Sequence, residues 1–144
     1  MCSLANELKN AEHIYFIGRG TDFALALEGA LKLKEIGYIH CEAYPAGELK
    51  HGTISLIERG TLVIALCTSE KVFRKTLSNI KEVKARGAKV IFVTNQDIKD
   101  DFYDIKIDIP KVNELLQPIL TIVPLQLLAY YISKEKGLDV DKPR

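Results

Sequence analysis

Apolar residues gather into short unbroken blocks at residues 13–17 (HIYFI), 61–67 (TLVIALC) and 89–94 (KVIFVT). Continuous β-branched and aromatic runs of this kind predict strands covered on both faces, the habit of parallel sheets. Between them the period changes. Over residues 72–86, Val72, Phe73, Leu77, Ile80 and Val83 recur at helical spacing, with Ser69 as a candidate cap and Gly87 as the stop. Residues 21–36 predict a second helix, capped by Thr21 or Asp22, and residues 113–136 a long third one that Gly137 ends. Pro118 suits the first turn of that helix, whereas Pro124 would bend its middle. A short helix over 3–11, strands over 38–44 and 105–109, a turn or short helix through GELKHG and a polar loop over 96–103 complete the pattern.

Strands alternating with helices at this pitch predict an α/β fold: a three-layer, five-stranded parallel sheet with helices on both faces. Right-handed crossovers leave few strand orders, and the flavodoxin-like order 2-1-3-4-5 is the expected one. Repeats, low-complexity tracts and interior linkers are missing from the sequence, so residues 1–144 read as a single domain.

The helix over 21–36 carries the most pointed pattern. On a wheel of about 100° per residue its apolar residues cover nearly every face, which predicts a buried helix. Glu28, Lys32 and Glu35 interrupt it at i, i+4 and i+7, a single narrow stripe. Charge inside a protein is costly unless it is paired or used. From this helix alone two readings stand open: a solvated ion pair contributing about 0.3 kcal/mol, or a working face. The segment behind it adds His40, Glu42, Glu48, Lys50 and His51 among Gly37, Gly47 and Gly52, so titratable groups are dense just there.

Composition acts mainly by exclusion. Hydrophobic residues make up 47% and charged ones 27%, the proportions of a soluble globular chain. A net charge of +1 gives no field to steer nucleic acid or an anionic membrane surface, and neither partner is expected. The longest apolar segment, 119–132, is too short to span a bilayer and contains Pro124 and Gln126. The opening MCSLANELKN has no secretory pattern, so a cytoplasmic protein is expected. Cys2, Cys41 and Cys67 are odd in number and lack CxxC spacing, which argues for neither a disulfide framework nor a zinc site; no metal and no cofactor are expected.

In open α/β sheets ligands sit beyond the carboxyl ends of the strands, near the switch in strand order. Two loops qualify, GRGTD after the first strand and CTSEK after Leu66, which makes Gly18, Arg19, Gly20, Thr68 and Ser69 the candidate substrate contacts. A dinucleotide fingerprint fails because its third glycine would fall at Phe23, and the Walker lysine pattern is absent. Thr68 and Ser69 could hold a phosphate at a helix start, but Glu70 would compete with it, and Ser69 as a plain N-cap is the better reading.

The run ALEGALKLKEIGYIHCEAYPAGELKHG closely resembles the second sugar isomerase (SIS) domain of the glucosamine-6-phosphate synthase family, the glutamine–fructose-6-phosphate aminotransferases. The likeness continues through SNIKEVKARG and VPLQLLAYYISKEKGLDVDKPR and covers nearly the whole chain. The resemblance implies addition of ammonia to open-chain fructose 6-phosphate and isomerisation of the adduct to glucosamine 6-phosphate. It implies Glu35 as the base of the 1,2-proton shift, Lys32 as the group that positions or polarises sugar oxygens, and His51 as the aid to ring opening, reaching a neighbouring subunit's site. It also implies a homodimer and, as partners, a first SIS domain and a glutaminase domain. Thr53 departs from the family's common HGP. The family's Schiff-base lysine lies in a tail beyond the sequence matching VDKPR, so an inactive fragment of a larger synthase is expected, with a naturally short SIS protein as the other reading. A non-catalytic phosphosugar-binding or dimerisation module is the rival function.

Overall fold

The computed structural model describes residues 1–144. Five strands, β1 (His13–Gly18), β2 (His40–Pro45), β3 (Leu62–Cys67), β4 (Lys89–Thr94) and β5 (Ile105–Asp108), form one sheet. Their order is β2-β1-β3-β4-β5, and every pairing is parallel. The expected α/β class, strand number and order are all present.

The alternation of side chains explains the layers. On β3, Ile64 and Leu66 face one side while Val63, Ala65 and Cys67 face the other, and all five are buried. The first side packs against α1 (Cys2–Leu8), α2 (Thr21–Gly37) and α4 (Gln117–Glu135), through Leu8, Ala26, Ala30, Leu33, Leu125, Leu128 and Ile132. The second packs against α3 (Phe73–Ala85), through Ile80 and Val83, and against a 3-10 turn at Ala46–His51, through Ala46 and Leu49. Both faces of β1, β3 and β4 are therefore largely dry, which is why these three read as unbroken apolar runs.

Three expectations are corrected at element ends. The strand over 38–44 begins at His40, because Tyr38 closes α2 in a left-handed conformation with φ 51°. The long helix begins at Gln117 rather than residue 113, since Asn113 instead accepts the Leu115 amide on its side chain and the Leu116 and Gln117 amides on its carbonyl. None of Thr21, Asp22 and Ser69 caps a helix with its side chain; Gly20 is the residue at the N-cap of α2. The helix beyond Ser69 starts as a 3-10 turn, Glu70–Val72, before α3.

The prediction of an all-round buried α2 is corrected as well. Its buried row is Asp22, Ala26, Gly29, Ala30, Leu33 and Gly37, while Leu27 (48% exposed) and Leu31 (40%) face outward. Helix α4 behaves alike, burying Thr121, Leu125, Leu128 and Ile132 but leaving Ile119, Val123 and Leu127 exposed. The two helices also close each other: Ser133 Oγ and Lys136 Nζ donate to the Ile36 and Gly37 carbonyls, which the end of α2 leaves without helical partners.

Candidate functional site

Two separate polar regions emerge. One lies on the outer face of α2, near its C-terminal end. Lys32 Nζ stands 2.7 Å from Glu35 Oε2 and 3.5 Å from Glu28 Oε1. The spacing i, i+3 and i+4 brings these three onto one face by helix geometry alone. The Lys32, Glu28 and Glu35 side chains are 31%, 40% and 46% exposed. The Glu35 hydrogen bond, the largest influence, and the Glu28 charge hold the Lys32 ammonium above its ordinary pKa against a smaller cost of burial. A fixed carboxylate beside a cation on a rigid helix is suited to exchanging a proton with a molecule pressed against it.

His51 is not part of that group. It ends the 3-10 turn over Ala46–His51, which packs on the α3 side of the sheet, whereas Glu35 belongs to the α2–α4 side. Its ring is 74% exposed, with Nε2 3.7 Å from Glu48.

The second region is a cleft at the carboxyl ends of the strands. The tight turn there follows from Gly18, where a Cβ would come within 2.6 Å of the Asp22 backbone, so only glycine lets α2 fold back onto β1. The turn delivers Asp22, 1% exposed, to the loop after β3. The Asp22 carboxylate accepts the Thr68 amide at 2.7 Å, the Thr68 hydroxyl at 2.5 Å and the Ser69 amide at 3.1 Å. Asn95 donates to the Thr68 carbonyl and to Gln117 Oε1, and Gln117 donates onward to the Pro110 carbonyl. These residues, with Thr21, Glu70, Lys111, Val112, Glu114 and Pro118, enclose a cavity of about 120 Å³. At its rim Lys111 pairs with Glu70, and Lys71 pairs with Glu114 at 3.2 Å. Burial first, and then the Asp22 charge, push the Cys67 thiol beneath this loop up to about 12.

Of the candidate contacts, Thr68 and Ser69 line the cleft but spend their amides on Asp22. Arg19 turns aside, donating from Nε to Asn79 at 3.1 Å and lying over Gly47. Sequence reasoning missed Asp22, Asn95 and Gln117. Only Asp22 carried a signal, its place in the GRGTD loop at the switch in strand order. Some 13 residues of helix, about 20 Å at 1.5 Å per residue, separate Asp22 from Glu35, so the two regions do not merge within one chain.

The comparisons with known proteins agree with this architecture. A family model described as SIS domain matches residues 7–133. The glutamine–fructose-6-phosphate aminotransferase [isomerizing] of Caldanaerobacter subterraneus subsp. tengcongensis is 58% identical over 142 residues, covering 97% of this chain and 23% of that protein. The protein of the same name from Clostridium tetani is 56% identical over 146 residues, covering 100% of this chain and 24% of its own length. The chain thus spans about a quarter of the length of the curated relatives it matches. Among solved structures, the C-terminal domain of glucosamine-fructose-6-phosphate aminotransferase from Francisella tularensis superposes with a TM-score of 0.90 at 39% identity, covering 98% of this chain and 40% of that one. With its sheet order, its layers and the match over residues 7–133 in agreement, the chain belongs to the SIS domain family.

Proposed function

We propose that the chain is the isomerase half-domain of a cytoplasmic glutamine–fructose-6-phosphate aminotransferase, which converts fructose 6-phosphate and ammonia to glucosamine 6-phosphate. The observation that carries this reading is the Glu28–Lys32–Glu35 cluster, fixed on a rigid helix yet open to the outside, with the exposed Leu27 and Leu31 along one flank. Such a surface is half of a site. In this reading Glu35 takes a proton from one sugar carbon and returns it to the next, and Lys32 polarises the neighbouring oxygen. The proposal needs no cofactor and no metal.

A sister SIS domain supplies the other wall and the phosphate contacts, and a glutaminase domain supplies ammonia. The position of His51 across the sheet from Glu35 favours a role in a neighbouring subunit's site, where the imidazole assists ring opening. Gly18, Arg19, Gly20, Thr68 and Ser69 enter only as a wall of the cleft, because the Thr68 amide and hydroxyl, the Ser69 amide and the Arg19 Nε are engaged within the chain. The mutual pairing of Glu28, Lys32 and Glu35 favours a second reading, a non-catalytic phosphosugar-binding or dimerisation module.

A chimera separates the two. This chain replaces the matching quarter of the Clostridium tetani relative, and glucosamine 6-phosphate formation is measured with and without Glu35→Gln. Activity in the chimera, and loss of isomerisation with sugar binding retained in Glu35→Gln, supports the catalytic reading. An unaffected rate in Glu35→Gln assigns the module instead.

A further inference from the structure

The cleft beyond the strands has the form of an anion site. Successive main-chain N–H groups after a central strand, at the switch in strand order, converge with a hydroxyl on one point. In this chain that point is already taken. The donors are the Thr68 amide, the Thr68 hydroxyl and the Ser69 amide, and all three end on the carboxylate of Asp22, which the turn after β1 brings in from the opposite side. We infer that Asp22 is a built-in occupant of this cradle, standing where a phosphate would stand, and that it closes the domain's own switch-point cleft to phosphate esters.

The surroundings support the assignment. Asp22 is 1% exposed and Thr68 5%, so their two hydrogen bonds are buried, while the Ser69 amide bond is part-buried at the cleft wall. Nothing else in the cleft calls for an anion. Asn95 and Gln117 satisfy each other and nearby carbonyls, and the Lys111 ammonium is paired with Glu70. The adjoining cavity of about 120 Å³ leaves room for the extra atoms of a phosphate once the carboxylate is gone. Identity at position 22 is therefore what decides the ligand class of this loop, a conclusion that does not depend on the proposed roles of Glu35, Lys32 and His51.

The test is a titration of the chain with inorganic phosphate at constant ionic strength, followed by amide chemical shifts and by melting temperature. In the parent protein the Thr68 and Ser69 amides stay unmoved and phosphate changes the melting temperature no more than chloride does. Asp22→Ala frees the three donors; phosphate then shifts both amides saturably, with at least about tenfold tighter apparent binding than the parent, and raises the melting temperature. Asp22→Asn keeps the side-chain shape without its charge, so its response falls between the two. Should Asp22→Ala fail to fold, the order of Asp22→Asn above the parent decides the matter. Saturable shifts at Thr68 and Ser69 in the parent, or folded variants that respond no more than the parent, overturn the inference.

Discussion

The Lys32 ammonium is held 2.7 Å from Glu35 Oε2, one helical turn along α2, with Glu28 Oε1 on its other side at 3.5 Å. Both partners are about a third to a half exposed, and solvent screens such pairs to about 0–1 kcal/mol. The pair therefore adds little to the stability of the fold. Glu35→Gln and Lys32→Ala each change unfolding free energy by less than about 1 kcal/mol in urea titrations. In the chimeric synthase Glu35→Gln lowers the isomerisation rate by about 10²-fold or more. A stability loss of several kcal/mol with the rate intact would show a structural pair instead. The sign with pH is also fixed: Lys32 is raised above its ordinary value, so its small contribution is complete below the unfolded lysine pKa of about 10.4 and fades as pH rises through the folded value.

Gly29 lets α2 come close to both α4 and β1. A Cβ there would lie 2.9 Å from Leu125 Cδ1 of α4 and 3.0 Å from Phe16 Cε1 of β1. Alanine gains about 1 kcal/mol of intrinsic helix propensity over glycine, but overpacking a dry core costs about 1–3 kcal/mol. Overpacking wins, because the Phe16 ring is fully buried and cannot swing away. Gly29→Ala therefore lowers stability by up to about 2 kcal/mol. Combined with Leu125→Ala, which removes the nearer obstacle, the loss is less than the sum of the two single losses, as a double-mutant cycle by denaturant unfolding will show.

These contrasts explain what the sequence could and could not say. The sheet was legible because β1, β3 and β4 are buried on both sides, and continuous burial leaves an unmistakable apolar run. Helix α2 misled for the opposite reason: Leu27 and Leu31 are as apolar as Leu33, and composition cannot tell a leucine facing the sheet from one facing outward. The role of Asp22 was hidden because a cap and a clamp on a distant loop demand the same residue type. Its partners Thr68 and Ser69 lie 46 and 47 positions away, contacts that no local pattern encodes. The Glu28–Lys32–Glu35 stripe was readable since helix periodicity alone creates it.

Thiol chemistry gives an independent check on the two cores. Cys41 and Cys67 are buried, and burial, the larger cause at each, pushes both thiols up to about 12. Cys2 is exposed. At pH 8 the folded chain reacts rapidly with a disulfide reagent at Cys2 alone, and the buried pair react only on unfolding. Rapid modification of Cys67 in the native protein would mean that the loop over it opens readily, against the Asp22 clamp.

Asp104 ties the loop before β5 to α3 and β4. Lys84 Nζ donates to both its oxygens at 2.7 Å, and the Val90 amide donates to Oδ2 at 2.7 Å. Burial, the largest single influence, favours the neutral acid, but the combined pull of the Lys84 bond, the Val90 amide and the Lys84 and Lys89 charges keeps the carboxyl below its ordinary pKa. A depressed folded pKa gives stability that is present above the unfolded value, about 3.9, and is lost as pH falls through the folded value. Asp104→Asn therefore destabilises the protein at pH 7, and the gap to the parent narrows below about pH 4, where the parent loses the same interaction. Melting temperatures from pH 7 to 2 test this; parallel curves for the two proteins would refute it.

Leu27 and Leu31 on α2, and Ile119 (62% exposed), Val123 and Leu127 on α4, lie on two helices packed directly against each other. Exposed apolar rows on two neighbouring helices are the mark of an association face. In the proposed enzyme a domain of the same fold covers it. When the chain is alone in solution the one available domain of that fold is a second copy, and closed two-fold pairing is the commonest solution. Light scattering is expected to give a dimer whose dissociation is concentration dependent. Ile119→Lys, placed on the exposed row and away from the Leu125–Leu128 core row, shifts the equilibrium at least about tenfold toward monomer, as burying an unpaired charge in the interface costs more than 1.4 kcal/mol. Its monomer retains the far-ultraviolet spectrum of the parent, because the substitution touches no buried contact. A parent protein that stays strictly monomeric at millimolar concentration would remove this face from the association.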